Sequence, residues 1–141
     1  MKSLFVNCLA LTAVIYIAPS VFAKTVWLSS LDLSEMTTGW SVAKADREIA
    51  GSRLSIHGKK FAQGVGTHAT SKFRVKLDGG AKRFTAEVGV DDSAGGQGSV
   101  EFIVLGDGKV LWRSGVLKGG EAAKPVDVDL VGIQTLILRV T

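Results

Sequence analysis

The stretch Gly64-Val65-Gly66-Thr67-His68-Ala69 fits the loose form of a dinucleotide fingerprint. In that motif the glycines let the backbone approach a pyrophosphate. The chemistry needs a buried strand before the glycines and a helix after them, whose N-terminus holds the phosphates. Neither neighbour fits. The preceding HGKKFAQ, residues 57–63, is polar. The following KFRVKL, residues 72–77, alternates with period two and reads as a strand. Gly106-Asp107-Gly108-Lys109 also lacks the earlier glycine of a phosphate loop, because Ile103 stands at that position. The glycines are therefore turn residues, with His68 beside them near the start of a strand.

Other chemistry-bearing residues are sparse. There are two histidines and one cysteine, Cys8, and no nucleophile motif. Cys8 lies in an N-terminal apolar segment and behaves as a small hydrophobe. A carboxylate pair for glycoside hydrolysis could be drawn from Asp91, Asp92 and Glu101. Such a pair works in a deep cleft, for which a chain this short leaves little room, so no enzyme activity is expected. The ligand spacing of an EF-hand is absent. Asp127 and Asp129 share one strand face and read as solvent-facing.

The elements that must carry these residues are all β. Phe73, Val75 and Leu77 alternate with Lys72, Arg74 and Lys76. Phe84, Ala86, Val88 and Val90 repeat the pattern against Thr85 and Glu87. SVEFIVL and KVLWRSG flank Gly106-Asp107-Gly108, and Asp-Gly between apolar runs is a strong hairpin signal. Val126, Val128 and Leu130 alternate with Asp127 and Asp129, and QTLILRVT closes the chain as a further strand. TVWLSS, around Trp27, also reads as strand-like. Only Leu31 to Thr38 holds room for a short helical turn. About seven short strands with regular turns predict an antiparallel β-sandwich or jelly roll.

The first 23 residues read as a secretory signal peptide cut after Ala23. Lys2 precedes an apolar run from Leu4 to Ala18, and Val21-Phe22-Ala23 offers a small residue for cleavage. The run is about 15 residues, short of the roughly 20 that span a bilayer. The expectation is a secreted or periplasmic protein with no membrane span after cleavage, its single domain in residues 24–141. Removing Lys2 from the whole-chain charge of +4 leaves +3, spread with acids between. No basic run marks a nucleic-acid arm, so no nucleic-acid partner is expected.

The stretches GVGTHATSKFRVKL, GWSVAKADREIAG and RFTAEVGVDDSAGGQGSVEFIVLGDGKVLWRSGVLKGGEAAKPVDVDL resemble the NPCBM family of carbohydrate-binding modules. The resemblance covers nearly all of Val26 to Val140. It implies a galactose-binding-like β-sandwich of the kind attached to glycosidases, including α-galactosidase-like enzymes. It implies non-catalytic binding of terminal galactose-type glycans. Members of the family often carry calcium, so it also implies a structural calcium ion, whose ligands the sequence does not pick out.

A sugar site needs a flat aromatic face for the C–H surface of the ring. It also needs charged or amide groups for vicinal hydroxyls. Trp40, in a loop after Thr38-Gly39, is the best aromatic candidate, ahead of Trp27 and Trp112. Trp112 lies in a hairpin strand and reads as core. His68 could donate from one ring nitrogen and accept at the other, or it could tie its turn to a carbonyl. Asp46 and Arg47, and Asp91 and Asp92 entering a glycine-rich loop, complete the candidate carbohydrate-binding set. The alternative function is a secreted or periplasmic sandwich that contacts proteins and no sugar. An exposed aromatic with a polar groove favours sugar, and a flat apolar patch favours a protein. As the resemblance implies, members of the family continue past LILRV with a further loop and strand. The module is then expected to be short at its C-terminus, with an open sheet edge through which it self-associates.

Overall fold

A computed structural model describes residues 24–141. The expected signal peptide, residues 1–23, lies outside the described residues. Four two-residue strands come first: β1 (Lys44–Ala45), β2 (Ser55–Ile56), β3 (Lys59–Lys60) and β4 (Val65–Gly66). The six segments of alternating residues then become the long strands β5 (Ser71–Lys76), β6 (Arg83–Val88), β7 (Ser99–Gly106), β8 (Lys109–Lys118), β9 (Lys124–Asp129) and β10 (Thr135–Val140).

The long strands form two antiparallel sheets. One has the order β5-β10-β7-β8, and the other pairs β6 with β9. Alternation supplies each sheet with one apolar face, and these faces share a core. Val104, Val126, Val128, Leu130 and Leu136 are buried at its centre. Val75, Phe84, Ala86, Val88, Trp112 and Leu138 pack around them from strands of both sheets. The expected all-β architecture with two packed layers is therefore present, and Trp112 is a core residue.

The turns follow local chemistry. Asp107 and Gly108 have φ of 48° and 80°, the two positive values that a tight type I′ hairpin needs between β7 and β8. The Asp107 carboxylate also accepts the amides of Gln134 (3.1 Å) and Thr135 (2.9 Å), which ties this hairpin to the start of β10. Trp27 departs from expectation. The Ser30 amide and hydroxyl both donate to the Trp27 carbonyl, at 3.0 and 2.7 Å. This closes a 3-10 turn over Leu28–Ser30 where TVWLSS reads as a strand. A second such turn, Leu33–Glu35, is started by the Asp32 side chain accepting from the Ser34 amide.

The last strand is central. β10 is paired on one side with β5 and on the other with β7. Beyond it Thr141 and Glu101 exchange two backbone hydrogen bonds of 3.0 Å. The outer strands of this sheet are β5, met at one end by the Thr37–Lys72 bridge, and β8. No helix among the described residues is long and apolar enough to cross a membrane.

Candidate functional site

The stretch from Gly64 to Lys72 is the spine of the site, and residues 37–46 run antiparallel along it. Thr37 bridges Lys72, and the Gly39 amide donates to the His68 carbonyl at 3.1 Å. Lys44 and Ala45 then pair with Gly66 and Val65. The glycines explain how closely the two chains approach. A Cβ on Gly39 would stand 2.2 Å from the Ala69 carbonyl oxygen. One on Gly66 would stand 2.1 Å from the carbonyl oxygen of Arg47. Gly66 therefore serves backbone packing of two strands, and a strand, β5, follows it. No helix follows to hold a phosphate, so the nucleotide reading stays excluded.

This juxtaposition brings Trp40 and His68 together. Their ring centroids are 6.0 Å apart and the planes cross at 71°, an edge-to-face pair. Trp40 is nevertheless 60% exposed. Its loop is shaped in advance: the Thr38 hydroxyl reaches the carbonyls of Trp40 (2.9 Å) and Ser41 (2.7 Å), and Ser41 has φ of 58°. His68 Nδ1 lies 2.7 Å from the Ala69 carbonyl oxygen. A carbonyl only accepts, so Nδ1 carries the hydrogen. In the neutral ring Nε2 is then an acceptor, left over for a ligand hydroxyl. Both roles weighed for His68 are thus compatible in one ring.

Asp46 and Arg47 follow directly. Asp46 donates its amide to the Gly64 carbonyl (2.8 Å), and its carboxylate accepts the Gly64 amide (3.0 Å). Its carboxyl is held below the usual carboxylate range, first by the Ser29 hydroxyl and then by that amide. Asp46 thereby fixes the approach of β1 to β4. Arg47 is exposed, and its guanidinium makes no hydrogen bond or ion pair among the described residues. Glu48, which sequence reasoning missed, is 3% exposed and accepts the amides of Ala50 (2.7 Å) and Ser52 (2.6 Å), folding the loop that follows. The available signal was a Glu followed at short range by Ala-Gly-Ser, a turn composition.

The NPCBM/NEW2 domain family matches residues 24–141. The chain belongs to this family. It is 42% identical over 120 residues to alpha-1,3-galactosidase B of Akkermansia muciniphila, a match over 82% of this chain and 15% of that protein. The chain thus spans about a seventh of that relative's length. Among solved structures it resembles the CBM51 of Clostridium perfringens GH95 in complex with methyl-galactose. The TM-score is 0.75 and the identity 31%, over 82% of this chain and 86% of that one. It also resembles CBM51-2 of Clostridium perfringens ZmpB, in complex with GlcNAc. There the TM-score is 0.74 and the identity 28%, over 81% of this chain and 26% of that one.

In this NPCBM/NEW2 domain Asp91 and Asp92 stand apart from the Trp40–His68 pair, with no hydrogen bond or ring contact to it among the described residues. They clamp the hairpin between β2 and β3. Asp91 accepts the amides of Ser55 and Ser93, each at 2.9 Å. Asp92 accepts the Ser55 hydroxyl (2.5 Å) and the amides of His57 (2.8 Å) and Gly58 (2.9 Å). His57 Nδ1 in turn donates to the Gly120 carbonyl at 2.7 Å. No three His, Cys, Asp or Glu side chains converge among the described residues.

Two expectations arise from this geometry. Gly39→Ala is expected to push the Trp40 loop off Ala69 and weaken sugar binding severalfold with the core intact. Calorimetric titration beside a melting curve checks it, and unchanged binding would show that the loop position is irrelevant. The second concerns pH. The Ser55 hydroxyl, then the Gly58 amide, hold the Asp92 carboxyl below its ordinary value. A lowered folded value means the clamp contributes fully above the unfolded carboxylate pKa of about 3.9 and is lost as pH falls through the lower folded one. The side-chain carboxyl carbon signal of Asp92 is therefore expected to titrate only below about pH 3.9. A midpoint above that value would contradict the clamp.

Proposed function

We propose that this chain is a non-catalytic carbohydrate-binding module that takes a terminal galactose-type sugar at Trp40. The observation that carries the reading is an exposed indole held edge-to-face against a histidine with a ring nitrogen to spare. The indole covers the C–H face of a pyranose, and His68 Nε2 accepts a hydroxyl proton. Arg47, whose backbone carbonyl packs against Gly66 and whose side chain is exposed, supplies a donor fork for vicinal hydroxyls. Asp46 acts by fixing the loop. Asp91 and Asp92 shape the β2–β3 hairpin. The sugar class is supported by relatives named as a galactosidase and as a module in complex with methyl-galactose. An aromatic beside a polar ring, in place of a flat apolar patch, favours sugar over a protein partner.

One stacked ring and a few hydrogen bonds, set against ordering costs, correspond to a Kd of roughly 0.1–1 mM. Isothermal titration with methyl-galactose at millimolar concentration tests this, and the absence of heat with every neutral glycan tried would overturn it. The signal-peptide pattern supports a secreted or periplasmic site of action, which cell fractionation checks. A structural calcium ion would draw chiefly on loop carbonyls, and a chelator that lowers the melting temperature would register it. Self-association has β8 as its candidate edge, where Val110 and Val116 are exposed. Sedimentation velocity reads that directly.

A further inference from the structure

Three cations of β5 and one of the distant β10 share one face of the β5–β10 pair. Lys72, Arg74 and Lys76 alternate on β5, and their cross-strand partners on β10 are Arg139, Ile137 and Thr135. These six positions include four cations and no acid. All four cations are exposed, and none joins an ion pair among the described residues. On the neighbouring strand Glu101 is engaged by Arg113 at 3.1 Å. Lys72 and Arg139 stand directly opposite each other. Like charges so placed destabilise a strand pair, and an anion bridging them relieves the repulsion.

The same two residues border a shallow cleft of about 300 Å³ that also includes Thr37, Thr70, Ser71 and Thr141. The cleft adjoins the sugar site through Thr37, whose backbone bridges Lys72, and through Thr70, two residues from His68. His68 and Lys72 are four residue steps apart, a span of at most roughly 13 Å at strand rise. That is short enough for one glycan to reach both.

We propose that Lys72 and Arg139 form an anion subsite, so that the module selects galactose-type glycans bearing sulfate or carboxylate groups near the terminal sugar. The inference rests on the carbohydrate reading above and adds the charge class of the ligand. Its test compares a neutral galactan with the same galactan after sulfation, titrated into the protein at about 0.01 M and about 0.1 M salt, where the screening length falls from roughly 30 to 10 Å. The sulfated form is expected to bind about tenfold tighter at low salt, and that advantage should shrink at high salt. The double variant Lys72→Gln/Arg139→Gln should bind the sulfated galactan no more tightly than the neutral one at either salt concentration. Lys72→Arg/Arg139→Lys should restore the preference, which separates charge from folding. Equal binding of the two galactans by the wild type overturns the inference alone. No binding of the neutral galactan overturns the carbohydrate reading and the inference with it. Dextran sulfate or phosphatidylserine vesicles binding as tightly as the sulfated galactan would show a general anion surface and overturn the subsite.

Discussion

Trp40→Ala is expected to abolish detectable galactose binding while moving the melting temperature by no more than a few degrees. The side chain is 60% exposed in the free protein, so its removal leaves no cavity. In the proposed binding mode the same ring is the largest apolar surface that the sugar covers. Truncating an aromatic anchor of that kind commonly weakens binding by about 2 kcal/mol, or roughly thirtyfold. From a Kd of roughly 0.1–1 mM, that puts the variant beyond calorimetric detection. Trp27→Ala is the control. Trp27 is 51% exposed, but it has no paired aromatic ring among the described residues and sits at the start of a 3-10 turn. Its loss is expected to leave the monosaccharide affinity unchanged. If Trp40→Ala retains full affinity, or if Trp27→Ala removes it, the platform lies elsewhere.

Leu130→Ala is expected to have the largest effect on stability. Leu130 is 2% exposed and belongs to the central cluster with Val104, Val126, Val128 and Leu136. It follows β9, and its amide donates to the Lys82 carbonyl at 2.9 Å, so the side chain is fixed where the two sheets meet. Large-to-small changes at such sites cost about 2–5 kcal/mol, because the surroundings collapse only in part. That is a large share of the roughly 5–15 kcal/mol that holds a domain folded. A melting temperature lower by roughly 10–20 °C is expected by differential scanning calorimetry. A drop under about 5 °C would mean that the sheets do not close over this residue. Sugar affinity measured well below the new midpoint should survive, since Leu130 belongs to the central cluster and Trp40 is an exposed residue outside it.

Much of the strand content is legible in the sequence, because side-chain alternation is local. KFRVKL and PVDVDL each state which residues face the core and which face water, whatever they pair with. The same holds for Asp107-Gly108, whose positive φ values are a property of two residues. Trp27 was misread because TVWLSS has strand composition, while Ser30 bonds back to the Trp27 carbonyl and closes a turn. Asp91 and Asp92 were legible as acids entering a glycine-rich loop. That they clamp Ser55, His57 and Gly58 was not, since nothing near them names those partners.

Residue type and spacing by themselves determined the all-β class, the turns, the core stripe on each strand, and Trp40 and His68 as candidates. Only the tertiary structure decided that Trp40 meets His68, that Asp46 braces β4, and that Lys72 faces Arg139. The reason is the nature of sheet pairing. A strand encodes its own inward and outward faces, but its neighbour and register are set by burying those faces together in one core. In this chain that packing places β10, the last strand, between β5 and β7. β5 carries Lys72, Arg74 and Lys76 on one face by its own alternation, but Arg139 comes to stand opposite Lys72 only through that distant pairing.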